Sequence, residues 1–580
     1  MSGYPRSDTR DGMRIDWDVP IPMDDGVVLR ADVFRPIPEG KYPPILNYGP
    51  YAKWLHFEDG YPQQWKQMVE RFPGTAAGST NKYQTWEVAD PEKWVPDGYT
   101  IVRVDARGSG RSPGFLDPWS AREARDLHDC VEWAARQPWS NGRVGLNGIS
   151  YFAMNQWQVA SLQPPHLAAM CSWEGAADYY RDMAHHGGIH CRFCEFWYTR
   201  RVVPRQHGKG ARGYRSRMNG EWVSGPQTLS EEELGRNRAD FPRDVLARDL
   251  ATDPYWTSRM PDWSKVEVPF LSSANWGGVG LHPRGNFEAF VRAASREKWL
   301  EVHGFEHWTD FYTDKSIAYQ KKFFARFLKG ERTGWDGEPE VRLLVRHPGD
   351  RFTERAESEW PLARTRWTKF FLQPKGLALA PGPAAASGQL SYAGMGEGLT
   401  FLTHPFERET ELTGPAAAKL FISSETGDAD LFLVLRLFAP DMREAVFQGA
   451  LDPHTPLALG WLRASHRKLD PALSLPYRPY HAHDEKQPLA PGQVYELDIE
   501  IWPTSIVIPP GFRLGLSVRG RDYVWQGSER PSGEATGCGP FLHDDPRARP
   551  ADIFGGKVTV HMGPGQPSHL LLPVIPPKKG

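Results

Sequence analysis

Cysteine is scarce in this chain: Cys130, Cys171, Cys191, Cys194 and Cys538 are five thiols in 580 residues. They are scattered and odd in number, which excludes a disulfide framework and leaves at least one thiol unpaired. Excess charge of either sign is missing as well. Lys+Arg 69 against Asp+Glu 71 offers no overall attraction to nucleic acid or an anionic membrane, and neither is expected as a partner. No uninterrupted apolar run approaches the ~20 residues that span a bilayer. The opening stretch MSGYPRSDTRDGMRIDWD has no apolar core behind a basic start, so no secretory signal is read and the cytoplasm is the expected compartment. No internal repeat of fixed period is present. What the chain has in abundance is aromatic surface: 23 Trp, 20 Tyr and 28 Phe favour large apolar contacts and pockets lined by flat rings. At roughly 150 residues per domain, the length suggests two to four domains.

Gly26 to Pro36 alternates with the period of a half-buried strand after an Asp24-Asp25-Gly26 turn. Short apolar runs of another kind follow: Pro44 to Tyr48, Tyr99 to Asp105, Arg143 to Asn147, Leu167 to Ser172, Pro269 to Ala274 and Lys298 to His303. Each reads as a buried parallel strand. Ala121 to Gln137 carries apolar residues at helical spacing, and strands alternating with helices make an α/β domain with a parallel sheet. The polar, helix-permissive tract between Ser172 and Pro269, including Leu229 to Leu250, reads as a cap inserted into the sheet. From about Glu340 the texture changes to strands punctuated by Pro and Gly: Ala417 to Phe421, Asp430 to Leu437, Tyr495 to Trp502 and Phe512 to Val518. These predict a separate all-β sandwich, with Pro374 to Gly388 as loop. The expected division is 1–174 and 265–338 for the two parts of the α/β domain, 175–264 for the cap and 339–580 for the sandwich.

The most informative segment is Arg143 to Val159, RVGLNGISYFAMNQWQV: a strand, then Gly-x-Ser, then a run able to form a helix. A serine on the tight turn between strand and helix projects its hydroxyl above the sheet, and the N–H of the next residue is available to an oxyanion. Gly148 and Ser150 fit that pattern, while Ala153 stands where G-x-S-x-G has its last glycine. Around it lie Asp25-Gly26 with ADVFRP, GPYAK at 49–53, VDARGSGRSPG at 104–114, PWSNGRVGLNGISY at 138–151 and PPGFRLGL at 509–516. With these motifs the chain resembles, over nearly its whole length, the CocE/NonD family of cocaine-esterase-like and X-prolyl dipeptidyl-peptidase-like serine hydrolases. The resemblance implies an α/β-hydrolase domain with a helical cap, followed by a C-terminal jelly-roll domain. It also implies that Tyr51, in Gly49-Pro50-Tyr51, supplies an oxyanion donor through its hydroxyl, beside the backbone N–H of Tyr151.

A serine hydroxyl needs an imidazole to take its proton and a carboxylate to orient that imidazole. Chain order in α/β hydrolases is Ser, acid, His, and His307, in a short loop after the last predicted strand of the sheet, is the candidate base. His303 reads as a core or edge residue of that strand. The acid departs from the family pattern, which commonly places Asp in a G-W-Y-D-like turn. Here the stretch is Ala274-Asn275-Trp276-Gly277-Gly278-Val279, without a carboxylate. Glu174, following the strand beside the elbow strand, is the candidate in its place. Asp310 and Glu306 are weaker rivals, so close in sequence to His307 that bringing either carboxylate to its far ring nitrogen requires an unusual loop.

The cluster His185-His186-Gly187-Gly188-Ile189-His190-Cys191-Arg192-Phe193-Cys194 invites a zinc reading, but no second ligand pair is evident elsewhere in the sequence, and no metal is expected. Gly108 and Gly110 open neither G-x-x-x-x-G-K-[ST] nor a full G-x-G-x-x-G, so no nucleotide or other cofactor is expected. The expected activity is cleavage of a small-molecule carboxylic ester through an acyl-enzyme. An X-prolyl-type aminopeptidase or amidase and an acyltransferase are alternatives within the same chemistry, and a degenerate protein that binds through its β-sandwich is the alternative outside it. Homo-oligomerisation is left open.

Overall fold

Apolar runs too short for helices become strands buried on both faces, as a parallel sheet covered by helices requires. The computed structural model describes residues 6–525 and 540–577. Its first sheet is built from β1 (Arg6–Arg10), β2 (Met13–Pro22), β3 (Val28–Pro36), β4 (Pro44–Gly49), β5 (Thr100–Asp105), β6 (Val144–Ile149) and β7 (Leu167–Trp173). After a two-residue hairpin, β8 (His185–His186) and β9 (Ile189–His190), come β10 (Phe270–Asn275), β11 (Lys298–His303), β12 (Val341–His347) and β13 (Arg351–Glu357). The hairpin aside, these form an 11-stranded sheet in the order β1-β2-β3-β5-β4-β6-β7-β10-β11-β12-β13. From β5 to β12 all neighbours are parallel. Every position of β4, β5, β6 and β10 is buried.

The helix Ala121–Ala135 starts at Ser120, whose side chain accepts from the Glu123 N–H, and turns Ala124, Leu127, Cys130, Val131 and Ala134 inward against β4 and β6. Apart from the β8–β9 hairpin, the regular structure between β7 and β10 is short helices, among them Glu231–Arg236, Phe241–Ala247 and Pro254–Thr257. Leu229 to Leu250 divides into two helices because Ser230 and Glu233 form a capping box at the start of the first, while Pro242 opens the second.

The C-terminal strands form an all-β domain whose pairings close on themselves. Thr410–Ser424 pairs with Tyr495–Ile508, and the path runs through Ala458–Arg463, Asp430–Phe438, Arg513–Arg519, Leu399–Thr403, Ala378–Ala380, Arg366–Gln373 and His569–Ile575. The last of these returns to Thr410–Ser424. The expected two-sheet sandwich is therefore joined at its edges into a barrel, around a core that includes Leu420, Leu433, Leu435, Ile499 and Leu516. Pro374 to Gly388, expected as loop, contributes the short strand Ala378–Ala380. The expected boundary at 338/339 is not a sheet boundary either, since β12 pairs with β11, and β13 with β12, in the first sheet. Among the described residues, Cys130, Cys171, Cys191 and Cys194 are free and buried, no helix is long and apolar enough to cross a membrane, and Cys538 lies outside them.

Candidate active site

Ser150 leaves β6 as the residue before the helix Tyr151–Ser161, with φ 58 and ψ -116. A non-glycine residue holds that conformation only when its surroundings impose it. The crowding is visible at Gly148, where an added Cβ would lie 2.4 Å from the Phe152 Cβ. Ala153 is tolerated in place of the last glycine because it faces Gly175, whose own Cβ would sit 3.1 Å from the Ala153 methyl.

Register brings Glu174 beside the serine. Ile149 of β6 pairs with Trp173 of β7, so Ser150 and Glu174 leave neighbouring strands at one level, and the Ser150 N–H donates to the Trp173 carbonyl at 3.0 Å. His307 lies in the loop after β11, with Nδ1 2.8 Å from Glu174 Oε2. The other carboxylate oxygen of Glu174 accepts from Asn275 Nδ2 at 3.1 Å and lies 3.2 Å from His303 Nε2. These imidazoles hold the fully buried Glu174 carboxyl well below the usual range despite its desolvation. The stretch without a carboxylate thus contributes an amide, from Asn275, that braces Glu174. A Cβ on Gly278, in the same turn, would lie 3.7 Å from Glu174 Oε2. Asp310 accepts instead from Ser316, and Glu306 bonds Arg71 and Gln67. His303 is buried, as expected of a core residue, but is also bonded to Glu301 at 3.0 Å.

Glu87 was not foreseen. It lies in the irregular loop between β4 and β5 at φ 65, and its Oε1 is 2.8 Å from His307 Nε2, the nitrogen that faces the serine in a triad. No periodicity or motif marks it. Burial pushes its carboxyl up to about 7, the nearby imidazole opposing. His307, between two carboxylates that outweigh its own desolvation, is raised to about 10. The His282 ring stacks on it, centroids 5.0 Å apart, and burial followed by repulsion from His307 keeps that ring neutral, well below its ordinary range. Among the described residues no hydrogen bond joins Ser150 Oγ to His307. Both line one cavity of about 150 Å³, with Tyr51, Trp86, Trp197 and Phe541 in its walls.

Tyr51 follows β4, and its hydroxyl accepts from Trp197 Nε1 at 2.9 Å. The loop that carries it is anchored by a buried charge cluster: Lys53 Nζ lies 3.1 Å from Asp18 and 3.3 Å from Asp32. Asp105 accepts the backbone N–H groups of Lys53 at 2.6 Å and Arg111 at 2.8 Å. The GPYAK and VDARGSG motifs are therefore two halves of one support. At Gly110, where φ is 52, an added Cβ would fall 2.3 Å from the Asp105 carboxylate, so that turn admits no side chain. The Tyr151 side chain points away from the cavity, bonding Glu123, while its N–H, at the first helical position, has no intrahelical acceptor.

Comparison with known proteins places the whole chain. Residues 25–309 match the X-Pro dipeptidyl-peptidase (S15 family) profile, and 333–571 match the X-Pro dipeptidyl-peptidase C-terminal non-catalytic domain. The crystal structure of a CocE/NonD family hydrolase from Staphylococcus aureus is 31% identical and superposes with a TM-score of 0.84, covering 97% of this chain and 94% of that one. The chain belongs to the CocE/NonD family of hydrolases. Within the family's sequence range, the cocaine esterase of Rhodococcus sp. (strain MB1 Bresler) is 25% identical across 96% of this chain and 98% of its own length. A putative Xaa-Pro dipeptidyl-peptidase of Streptomyces avermitilis is 22% identical over 74% of this chain and 68% of its own. Family membership makes this chain a serine hydrolase.

Proposed function

We propose that the protein is a serine esterase in which Ser150 attacks an ester carbonyl, His307 moves the proton, and Glu174 orients His307 and compensates its charge. The observation that carries this reading is the hydrogen bond of His307 to Glu174, beside a strained serine lining the same cavity. Attack places negative charge on the carbonyl oxygen, where the Tyr51 hydroxyl and the Tyr151 N–H act as donors. Collapse of that intermediate expels the alcohol, with His307 returning the proton, and water repeats the cycle on the acyl-enzyme. For the first step His307 Nε2 exchanges Glu87 for the serine hydroxyl, and protonation of Glu87 assists the exchange. A cavity of about 150 Å³ accommodates a benzene-sized ring, which supports an aromatic or similarly bulky ester.

In the same reading the segment between β7 and β10 acts as a cap over the site, and the C-terminal barrel is a jelly-roll. Only a small molecule is recruited, and four buried unpaired cysteines favour a reducing, cytoplasmic setting. A second reading has one observation behind it: among the described residues Glu87 Oε2 is buried without a hydrogen-bond partner beside the cavity, where a substrate ammonium would find a carboxylate, as an aminopeptidase requires. Kinetics on aryl esters beside amino-acyl-proline anilides separate the two. Hydrolysis of the ester that is lost in Ser150→Ala supports the esterase, while a clear preference for the anilide overturns it in favour of the peptidase.

A further inference from the structure

The inserted segment carries a second cluster of buried imidazole and thiol groups, none of which lines the cavity that holds Ser150 and His307. The hairpin β8–β9 turns through Gly187 and Gly188, at φ 56 and 87, and packs on the barrel so closely that an added Cβ at Gly187 would lie 2.1 Å from the Trp461 carbonyl oxygen. This places His186 against His543, which is 357 residues away in sequence, with His186 Nδ1 2.8 Å from His543 Nε2. The outer nitrogen of each ring is already committed: His186 Nε2 faces the Asp182 carbonyl at 3.1 Å, and His543 Nδ1 faces Asp522 Oδ1 at 2.7 Å. With an N–H on each outer nitrogen, two lone pairs point at each other across the short contact. An electrophile between them resolves the conflict. The third member, Cys191, offers its sulfur so that all three donor atoms lie within 4.8 Å of one another. All three side chains are buried, in a wall made by Trp461, Trp502 and Phe432.

We infer that His186, Cys191 and His543 form a binding site for a borderline divalent transition metal of the zinc type. Two imidazoles and a thiolate are the donor set such ions select, and the Asp522 carboxylate and Asp182 carbonyl orient the rings as outer partners of metal-bound histidines do. Tetrahedral coordination sets its ligand atoms about 3.3–3.6 Å apart, so the two rings part slightly to admit the ion, and the fourth position falls to a non-protein ligand such as water. The sequence cluster alone lacked a partner, and His543 supplies it.

The ion's role is structural. It ties the inserted segment to the chain between the barrel strands Arg513–Arg519 and His569–Ile575, where the Arg192 N–H already donates to the Leu542 carbonyl at 2.8 Å. Two residues beyond Cys191 stands Phe193, two before His543 stands Phe541, and these rings meet at 5.2 Å in the wall of the active-site cavity. Metal ligation therefore braces the substrate pocket without touching the reacting atoms, and the site stands whether the substrate is an ester or a peptide.

The test is full-length protein produced in minimal medium with cobalt in place of zinc. Elemental analysis is expected to find about one ion per chain, with intense visible bands of tetrahedral cobalt and a sulfur-to-cobalt charge-transfer band in the near ultraviolet. The charge-transfer band is expected to vanish in Cys191→Ser and persist in Cys194→Ser. Folded, catalytically active wild-type protein that carries no metal and takes up neither zinc nor cobalt would overturn the inference, leaving a proton between the two rings. A charge-transfer band that survives Cys191→Ser would overturn it equally, by placing the ion on another thiol.

Discussion

His307 and His186 are both almost wholly buried, yet their surroundings drive them in opposite directions. At the C-terminal ends of the parallel strands, carboxylates lie 2.8 Å from each ring nitrogen of His307, and their attraction raises the imidazole to about 10. In the seam between inserted segment and barrel, His186 faces a carbonyl, a tryptophan ring and another imidazole, and burial pushes it well below its ordinary value. Burial alone lowers an imidazole, and a neighbouring carboxylate within hydrogen-bond reach is what reverses the sign at His307. The protein thus keeps one buried imidazole charged between two carboxylates and another neutral in the seam between inserted segment and barrel.

The largest expected effect comes from removing that compensation. Glu174→Gln leaves His307 without its orienting anion, and kcat/KM on an aryl ester should fall about a thousandfold to ten-thousandfold, as loss of a triad acid does. Should the fall be less than about tenfold, Glu174 is not the acid. Placing the carboxylate on the neighbouring turn sharpens the point: Gly278→Asp in a Glu174→Gly background should recover at least about tenfold of the lost rate, because the Gly278 Cβ direction leads to the space that Glu174 Oε2 now occupies.

Glu87→Gln tests the other carboxylate. A group raised by a neighbouring anion falls when that anion is neutralised, so the acid limb of kcat/KM against pH, set by loss of the His307 proton, should move from near 10 to lower pH. At pH 7 the neutral fraction of His307 grows, and the rate should rise by about tenfold for each unit of the downward shift. An unmoved limb with collapsed activity would instead make Glu87 part of substrate recognition. The smallest expected effect is at the seam. Cys191→Ser, measured under conditions where the chain stays folded, should raise KM about two- to fivefold with kcat nearly constant, since it loosens Phe193 and Phe541 rather than the serine.

Much of this arrangement was legible residue by residue. The runs that become β4 to β7, β10 and β11 announce themselves because strands buried on both faces are continuous apolar stretches. Ser150 stands out through its turn, and His307 and Glu174 through their places after strands, since parallel strands deliver their C-terminal ends to one edge of the sheet. Glu87 was invisible, because an irregular loop has no period and its carboxylate matters only through a contact 220 residues away. The His186–His543 pairing fails the same way: local spacing cannot reveal a ligand delivered by another domain. β12 and β13 alternate like barrel strands, and nothing local tells which sheet they join. The closure of the barrel depends on His569–Ile575 pairing with both Arg366–Gln373 and Thr410–Ser424, a long-range choice that no window of sequence contains.

The claim that Ser150 is a nucleophile activated by the His307–Glu174 pair is tested most directly by fluorophosphonate labelling, with the adduct located by mass spectrometry and the rate followed against pH. Modification confined to Ser150, accelerating as pH rises above neutral and strongly slowed in both His307→Ala and Glu174→Gln, is the predicted result. Folded wild-type protein that does not react, or an adduct on a residue other than Ser150, would contradict it.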